Sequence, residues 1–366
     1  MRFVGYANLR LKCHCCKNNN RKRMKKIQLI LLSGGSGKRL WPLSNAVKSK
    51  QFLEILQSPD KKKESMIRRI FRQIKESAID AEVSITTNKP QAELLSTQLG
   101  TNTNIIAEPE RRDTFPAIAL AASYLKYEKK LSDDTPVVVM PVDPYTDLTY
   151  FDAIKTMASE LYAENADLVL MGIKPTSPSP NFGYIIPEKS GSGTSAKVEC
   201  FREKPSVENA EKFIEDGALW NGGVFAFRLG YIIKSIYKYI SSNKYDDILS
   251  EYSSLPKTSF DYEIVEKARS VRVVKFSGQW KDLGTWNSLC QEIQTPTVGK
   301  NIFCDKSDGT HIINELNIPI LCIGIEDAVI VATKDGILIS RKNLSDSIKN
   351  YPQIFSSDKL GTQMAK

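Results

Sequence analysis

No stretch of this 366-residue chain approaches the ~18 consecutive apolar residues that cross a bilayer, so no membrane-spanning helix is expected. Acidic residues are missing from residues 1–26, which hold nine basic ones: Arg2, Arg10, Lys12, Lys17, Arg21, Lys22, Arg23, Lys25 and Lys26. That leader also lacks the unbroken apolar core of a secretion signal, because polar residues interrupt Phe3-Val4 and residues 9–11. Setting the nine aside leaves 42 basic against 42 acidic residues, so the net charge of +9 belongs to the leader. A neutral folded part gives no polyanion-binding surface, and no nucleic-acid partner is expected. Cys13, His14, Cys15 and Cys16 have no second ligand group at zinc-site spacing. The leader therefore reads as disordered or mis-started, with Met24 just ahead of the first strand. Cys200, Cys290, Cys304 and Cys322 are scattered singly, as expected of buried free thiols in a reducing cytoplasm.

What is present begins with a short apolar run, Ile27 and residues 29–32, which reads as a buried strand. It opens into Ser33-Gly34-Gly35-Ser36-Gly37-Lys38-Arg39, where three glycines let successive backbone N–H groups approach an anion. Two familiar phosphate loops are excluded by spacing. A Walker A loop needs glycine where Leu32 stands and a hydroxyl residue where Arg39 stands; a dinucleotide fingerprint needs glycine at Leu40. Arg39 and Lys50 add fixed positive charge, so the loop reads as a cradle for a polyvalent phosphate.

From Ile27 onward, strand patterns at 27–32, 82–86, 104–106, 136–140 and 167–173 alternate with helical patterns at 63–77, 90–98, 115–129 and 150–164. Alternation of this kind predicts an α/β sandwich with a mostly parallel central sheet, whose ligands bind at the carboxyl ends of strands. After about residue 290, apolar runs at 310–313, 319–325, 328–333 and 336–340 lie too close together for helices, which predicts a small C-terminal β-rich module. A last helix is expected over 343–350. Asp143 follows the apolar strand at 136–140; there a carboxylate either caps a turn or holds Mg²⁺.

Residues 34–44, followed by Lys50-Gln51-Phe52-Leu53, resemble the signature of the sugar-nucleotide pyrophosphorylases, in particular the mannose-1-phosphate guanylyltransferases. That signature is a G-G-x-G-x-R-L-W-P-L-S run followed by P-K-Q-F-L, with Ser49 here in place of the proline. Further motifs come in family order. Asp143 stands in a P-x-D context with Pro144 for the family's histidine, and Asp282 lies in Trp280-Lys281-Asp282-Leu283-Gly284-Thr285-Trp286. Phe201-Arg202-Glu203-Lys204-Pro205, Trp220-Asn221-Gly222-Gly223, the Asp261-Tyr262 helix and the Gly183-Tyr184-Ile185 turn match the sugar-side motifs. Residues 108–117 resemble the segment that faces the base, with Asp113 for asparagine and Phe115 for alanine.

The resemblance implies a Rossmann-like nucleotidyltransferase sandwich over 27–290 and the β-rich module over 291–366. It implies transfer of a nucleotidyl group from GTP to mannose 1-phosphate, giving GDP-mannose and pyrophosphate. Another manno-configured sugar 1-phosphate, another NTP, or an idle nucleotide-sugar-binding regulatory subunit are the alternatives. Catalysis is assigned to Arg39, Lys50, Asp143 and Asp282, with Mg²⁺ on the two aspartates. Nucleotide contacts are assigned to Leu32, Gly34, Gly35, Ser36, Gly37, Lys38, Arg39, Glu108, Arg112 and Thr114. Sugar-phosphate contacts are assigned to Gly183, Tyr184, Glu203, Lys204, Asn221 and Asp261. Glu108 can accept from guanine N1–H and the exocyclic amine, a pairing that adenine does not offer. A cytoplasmic enzyme is implied, without the further isomerase domain of longer family members, and a homodimer is left open.

Overall fold

The computed structural model describes residues 25–35, 39–45, 47–163, 166–189 and 193–351. The leader cysteines and the glycine-loop residues Ser36, Gly37 and Lys38 lie outside them. The main sheet is built from nine strands: β1 (Ile27–Ser33), β2 (Ala81–Asn88), β3 (Asn104–Glu108), β4 (Pro136–Pro141), β5 (Leu168–Ile173), β6 (Tyr184–Pro187), β7 (Ser195–Arg202), β8 (Leu219–Arg228) and β9 (Val271–Phe276). Their spatial order is β3-β2-β1-β4-β8-β5-β9-β7-β6. The pairings β1–β2, β1–β4, β2–β3 and β5–β9 are parallel, while β8 runs against β4, β5 and β6, and β7 against β9 and β6. Only β7 and β8 therefore oppose the common strand direction, as the mostly parallel sheet of the sequence reading requires.

The central strands β1, β4 and β5 are apolar on both faces because helices cover both sides of the sheet. Helices α1 (Met66–Glu76) and α4 (Thr149–Ala163) bury Ile67, Ile70, Phe151, Ile154 and Leu161 against one face. Helix α3 (Thr114–Ser123) is buried along its whole length against the other, with Ile118, Leu120 and Ala121 fully covered. Helix α2 (Lys89–Leu99) starts at the Asn88 cap and stops at Gly100, whose φ of 91° suits glycine. The predicted helix over 115–129 is thus α-helical to Ser123 and ends in a π turn, Tyr124–Glu128.

The sequence reading stopped at β5, and the structure shows why. Strand β8 carries Asn221-Gly222-Gly223 in a bulge that breaks its apolar run, and β7 alternates with exposed Lys197 and Glu199. In the C-terminal region β10 (Thr297–Gly299), β11 (His311–Asn314) and β12 (Ala328–Thr333) pair in parallel, and β13 (Gly336–Arg341) returns antiparallel to β12. The segment expected as a helix over 343–350 is a 3₁₀ helix, Lys342–Asn350. Cys290 and Cys322 are buried thiols as expected, whereas Cys304 is exposed on a short strand of this region.

This C-terminal region shares a core with residues 40–56 of the segment after β1. Ile313, Val329 and Val331 pack with Leu40, Leu43, Leu53 and Trp286. Trp286 is fully buried, and its indole N–H donates to the Trp41 carbonyl at 3.1 Å. The Trp286→Ala variant should lose about 3–5 kcal/mol of stability in urea unfolding, the cost typical of emptying a large aromatic site.

Candidate active site

Strands β1, β3 and β4 are parallel, so Gly34, Glu108 and Asp143 emerge at one end of the sheet. There they line a cavity of about 350 Å³, together with Leu32, Gly35, Arg39, Lys50, Arg112 and Thr114. Buried polar side chains pin the start of the glycine loop. Thr87 Oγ1 donates to the Ser33 carbonyl at 2.7 Å, and Gln51 Nε2 donates to Ser33 Oγ at 3.2 Å. Gln91 Nε2 donates to the Gly35 carbonyl at 3.3 Å and to Ser49 Oγ at 2.9 Å. Arg111 donates to the Gly34 carbonyl. Gln91, Thr87 and Arg111 were not among the sequence candidates, and nothing in the sequence marks them.

The catalytic candidates meet at the cavity wall. Lys50 Nζ lies 2.9 Å from Asp282 Oδ1 and 3.0 Å from Asp143 Oδ2. The two carboxylates are neighbours because the ribbon Trp280–Asp282 pairs antiparallel with Pro144–Thr146, setting Asp282 opposite Pro144. Gly284 makes room for this: a Cβ there would stand 3.0 Å from both Asp282 carboxylate oxygens and 3.2 Å from the Arg39 guanidinium carbon. Desolvation works against charge on Asp143, but the Lys50 ammonium and Arg39 outweigh it and hold the carboxyl below its usual range. Lys50 is likewise opposed by burial and raised by Asp143 and Asp282. Among the described residues no cluster of three or more His, Cys, Asp or Glu side chains is gathered for a metal. The oxygens of one carboxylate pair converge on a single cation. That donor set fits Mg²⁺, which is commonly held by one or two carboxylates with phosphate and water completing its shell.

At the opposite end of the cavity Glu108 is buried, and Tyr252 Oη donates to its Oε2 at 2.8 Å. Burial raises the Glu108 carboxyl above its usual range, against the opposing pull of Tyr252 and Arg111. Arg112 forks onto the Leu255 carbonyl at 3.0 and 3.3 Å and reaches Glu110 at 3.0 Å, so it braces the 252–255 segment beside Glu108. Tyr252 is a further residue absent from the sequence candidates, 144 positions from its partner.

The sugar-side candidates form a second cluster. Asn221 Nδ2 donates to Asp261 Oδ1 at 2.6 Å, the Asn221 N–H donates to the Gly183 carbonyl at 2.8 Å, and Lys204 Nζ lies 2.7 Å from Glu203 Oε1. A Cβ on Gly183 would stand 2.5 Å from Glu203 Oε2, so only glycine fits beside that carboxylate. Thr114 ties this cluster to the cavity, because its Oγ1 accepts from the Phe260 N–H at 2.8 Å, next to Asp261. Phe182 ties it to the carboxylate ribbon, with ring centroids 4.6 Å from Trp220 and 5.7 Å from Trp280. Tyr184 differs from the sequence expectation. Its side chain is fully buried, accepting from Trp220 Nε1 at 3.0 Å and bonded to Ser179, so it braces the turn from the core side.

Burial, and then the nearby Glu203 charge, push the Asp261 carboxyl up to about 6. Removing the like charge should lower it. Glu203→Gln is therefore expected to move the Asp261 midpoint below the value in the unaltered protein, read from carboxyl chemical shifts against pH.

A family model described as "Nucleotidyl transferase" matches residues 28–297. The chain is 32% identical over 357 residues to a mannose-1-phosphate guanylyltransferase of Escherichia coli, a match spanning 88% of this chain and 74% of that one. It is also 32% identical over 345 residues to the xanthan biosynthesis protein XanB of Xanthomonas campestris pv. campestris (strain B100), spanning 87% and 71%. Among solved structures, one described as a mannose-1-phosphate geranyltransferase from Thermus thermophilus superposes with a TM-score of 0.74 at 25% identity, covering 90% of this chain and 99% of that one. No helix among the described residues is long and apolar enough to cross a membrane. On these likenesses the chain is a nucleotidyltransferase and belongs to the nucleotidyl transferase family, alongside the mannose-1-phosphate guanylyltransferases.

Proposed function

We propose that this enzyme transfers a guanylyl group from GTP to mannose 1-phosphate, giving GDP-mannose and pyrophosphate. The observation that carries the reading is the cavity at the carboxyl ends of β1, β3 and β4, with Arg39 and the Lys50–Asp143–Asp282 contact at one end and buried Glu108 beside Arg111 and Arg112 at the other. A phosphate oxygen of the sugar phosphate attacks the α-phosphorus in line; that P–O bond forms as the bond to pyrophosphate breaks, and no protein nucleophile is required. The protein's contribution is positioning and charge neutralisation. Arg39 steadies the leaving pyrophosphate, and Lys50 steadies the α-phosphate or the sugar phosphate. Asp143 and Asp282 would hold Mg²⁺, which supplies neutralisation between two anionic phosphates. Glu203, Asn221 and Asp261 present acceptors and a donor to sugar hydroxyls, with Lys204 as the cation for the sugar phosphate. A cytoplasmic enzyme, as a homodimer, belongs to the same proposal.

Activity should require a divalent cation and vanish in excess chelator. Asp143→Asn and Asp282→Asn should each lower kcat by orders of magnitude, followed as pyrophosphate release from a panel of NTPs and sugar 1-phosphates. Full turnover in chelator would remove the metal assignment.

GTP should be preferred, because a buried carboxylate that accepts two bonds from guanine discriminates by about 1.5–3 kcal/mol per charge-assisted bond. Glu108→Gln should therefore cut the kcat/KM ratio of GTP over ATP by about 10- to 100-fold, since tenfold corresponds to ~1.4 kcal/mol. The carboxylate is needed charged, so the preference should fade as pH drops through its raised pKa. Tyr252→Phe removes a bond that favours the charged form and should move that fading to higher pH. A GTP preference untouched by Glu108→Gln would place base recognition elsewhere.

A further inference from the structure

The Lys50 ammonium stands where the two carboxylates of the proposed metal site converge. Its Nζ is 2.9 Å from Asp282 Oδ1 and 3.0 Å from Asp143 Oδ2, and its side chain is only 13% exposed. An ammonium has three donors and no acceptor; here two are spent on the carboxylates, leaving one to turn elsewhere. A cation held by the same two oxygens and the ammonium would be like charges in contact. They compete for one position.

We propose that Lys50 is the resident counter-cation of the Asp143–Asp282 pair: it fills the divalent-ion position in the ligand-free enzyme and yields it when a nucleotide phosphate draws its ammonium away. This rests on the assignment of Asp143 and Asp282 as the metal-holding pair. The physical reasoning is that two neighbouring carboxylates repel each other, and a cation between them offsets that repulsion and favours both staying charged. Lys50 supplies that cation from within the chain, on a long unbranched stem that can reach another anion. Phosphate oxygens in the adjoining cavity, which Gly34, Gly35 and Arg39 line, would offer such an anion. Phosphate and divalent ion are then coupled: each favours the arrangement in which Lys50 has left the carboxylates, and the coupling is reciprocal. A lysine that served only as a phosphate ligand would carry no such link, and its removal would leave metal binding unchanged.

The test is Mn²⁺ binding to the full chain without nucleotide, read from the spectrum of the free ion by electron paramagnetic resonance. Lys50→Met should bind Mn²⁺ at least tenfold more tightly than the unaltered protein. Lys50→Arg, which keeps a cation, should show no gain. Adding Asp282→Asn to Lys50→Met should abolish the gain. In thermal unfolding, Lys50→Met should melt below the unaltered protein without metal and be raised further by Mn²⁺. If Lys50→Met does not fold by circular dichroism, Lys50→Gln serves in the same comparison. Unchanged or weaker Mn²⁺ binding by a folded variant, with turnover of the unaltered enzyme still abolished by chelator, overturns this inference alone. Tight binding that survives Asp282→Asn overturns both it and the metal assignment on which it rests.

Discussion

The contact on which the site depends is the ammonium of Lys50 between two carboxylates. Lys50 lies in the loop after β1, Asp143 at the end of β4, and Asp282 on a ribbon 232 positions further along the chain than Lys50. One cation thus fixes the mutual position of three segments that share no local sequence. The arrangement is possible because the ribbon pairs Asp282 with Pro144, and because Gly284 lacks the carbon that would crowd Arg39 and Asp282. Each carboxylate alone would be an unpaired charge at the edge of an apolar core. Together with Lys50 they form a unit that ties the loop after β1 to the sheet.

The C-terminal strands are best understood as a brace for that loop. Leu40 and Leu43 pack in the same core as Ile313, Val329 and Val331. Thr333 Oγ1 donates to the Pro42 carbonyl at 3.2 Å, Asn45 Nδ2 donates to Asp335 at 3.1 Å, and Trp286 Nε1 reaches the Trp41 carbonyl. Residues 39–45 therefore have packing partners on the far side from the cavity. A glycine loop needs this, because glycine loses more backbone freedom on ordering than any other residue and contributes no packing of its own. Buried amides hold Ser33 and Gly35, and the C-terminal strands hold residues 39–45.

How much of this was legible in the sequence follows from how local each signal is. The glycine loop could be picked out because its cues lie close together: an apolar run, three glycines and Arg39, with Lys50 a short way on. The five strands from β1 to β5 were legible because each is a short run rich in β-branched and leucine residues set between helical patterns. Strand β8 was not, since Asn221-Gly222-Gly223 interrupts it, and the bulge that tolerates the interruption exists only in the pairing with β5. Buried polar supports such as Gln91, Thr87 and Tyr252 had no sequence signature at all. A glutamine on a helix looks solvated until the fold closes over it. For Tyr184 the motif located its turn, but alternation along a short strand covered on both faces cannot say which side its side chain takes, and the structure turns it into the core.

Three carboxylate positions of the site handle unfavourable charge in different ways, and the difference bears on what each can do. At the carboxylate pair an internal cation balances the charge, so Asp143 stays ionised and ready for another cation. At the sugar cluster Asp261 has only partial relief. Asn221 donates to it, while Glu203 opposes it and Lys204 is engaged with Glu203. Its carboxyl sits near 6 as a result, poised between acceptor and donor near neutral pH. At Glu108 burial dominates, and the Tyr252 hydroxyl and the neighbouring Arg111 lean back toward charge. A carboxylate held under such tension gains most when a ligand donates to it, because the ligand supplies the hydrogen bonds that burial removed. In the proposed function those two positions read a ligand's donors, whereas the Lys50 unit, whose carboxylates already face a cation, would exchange one cation for another.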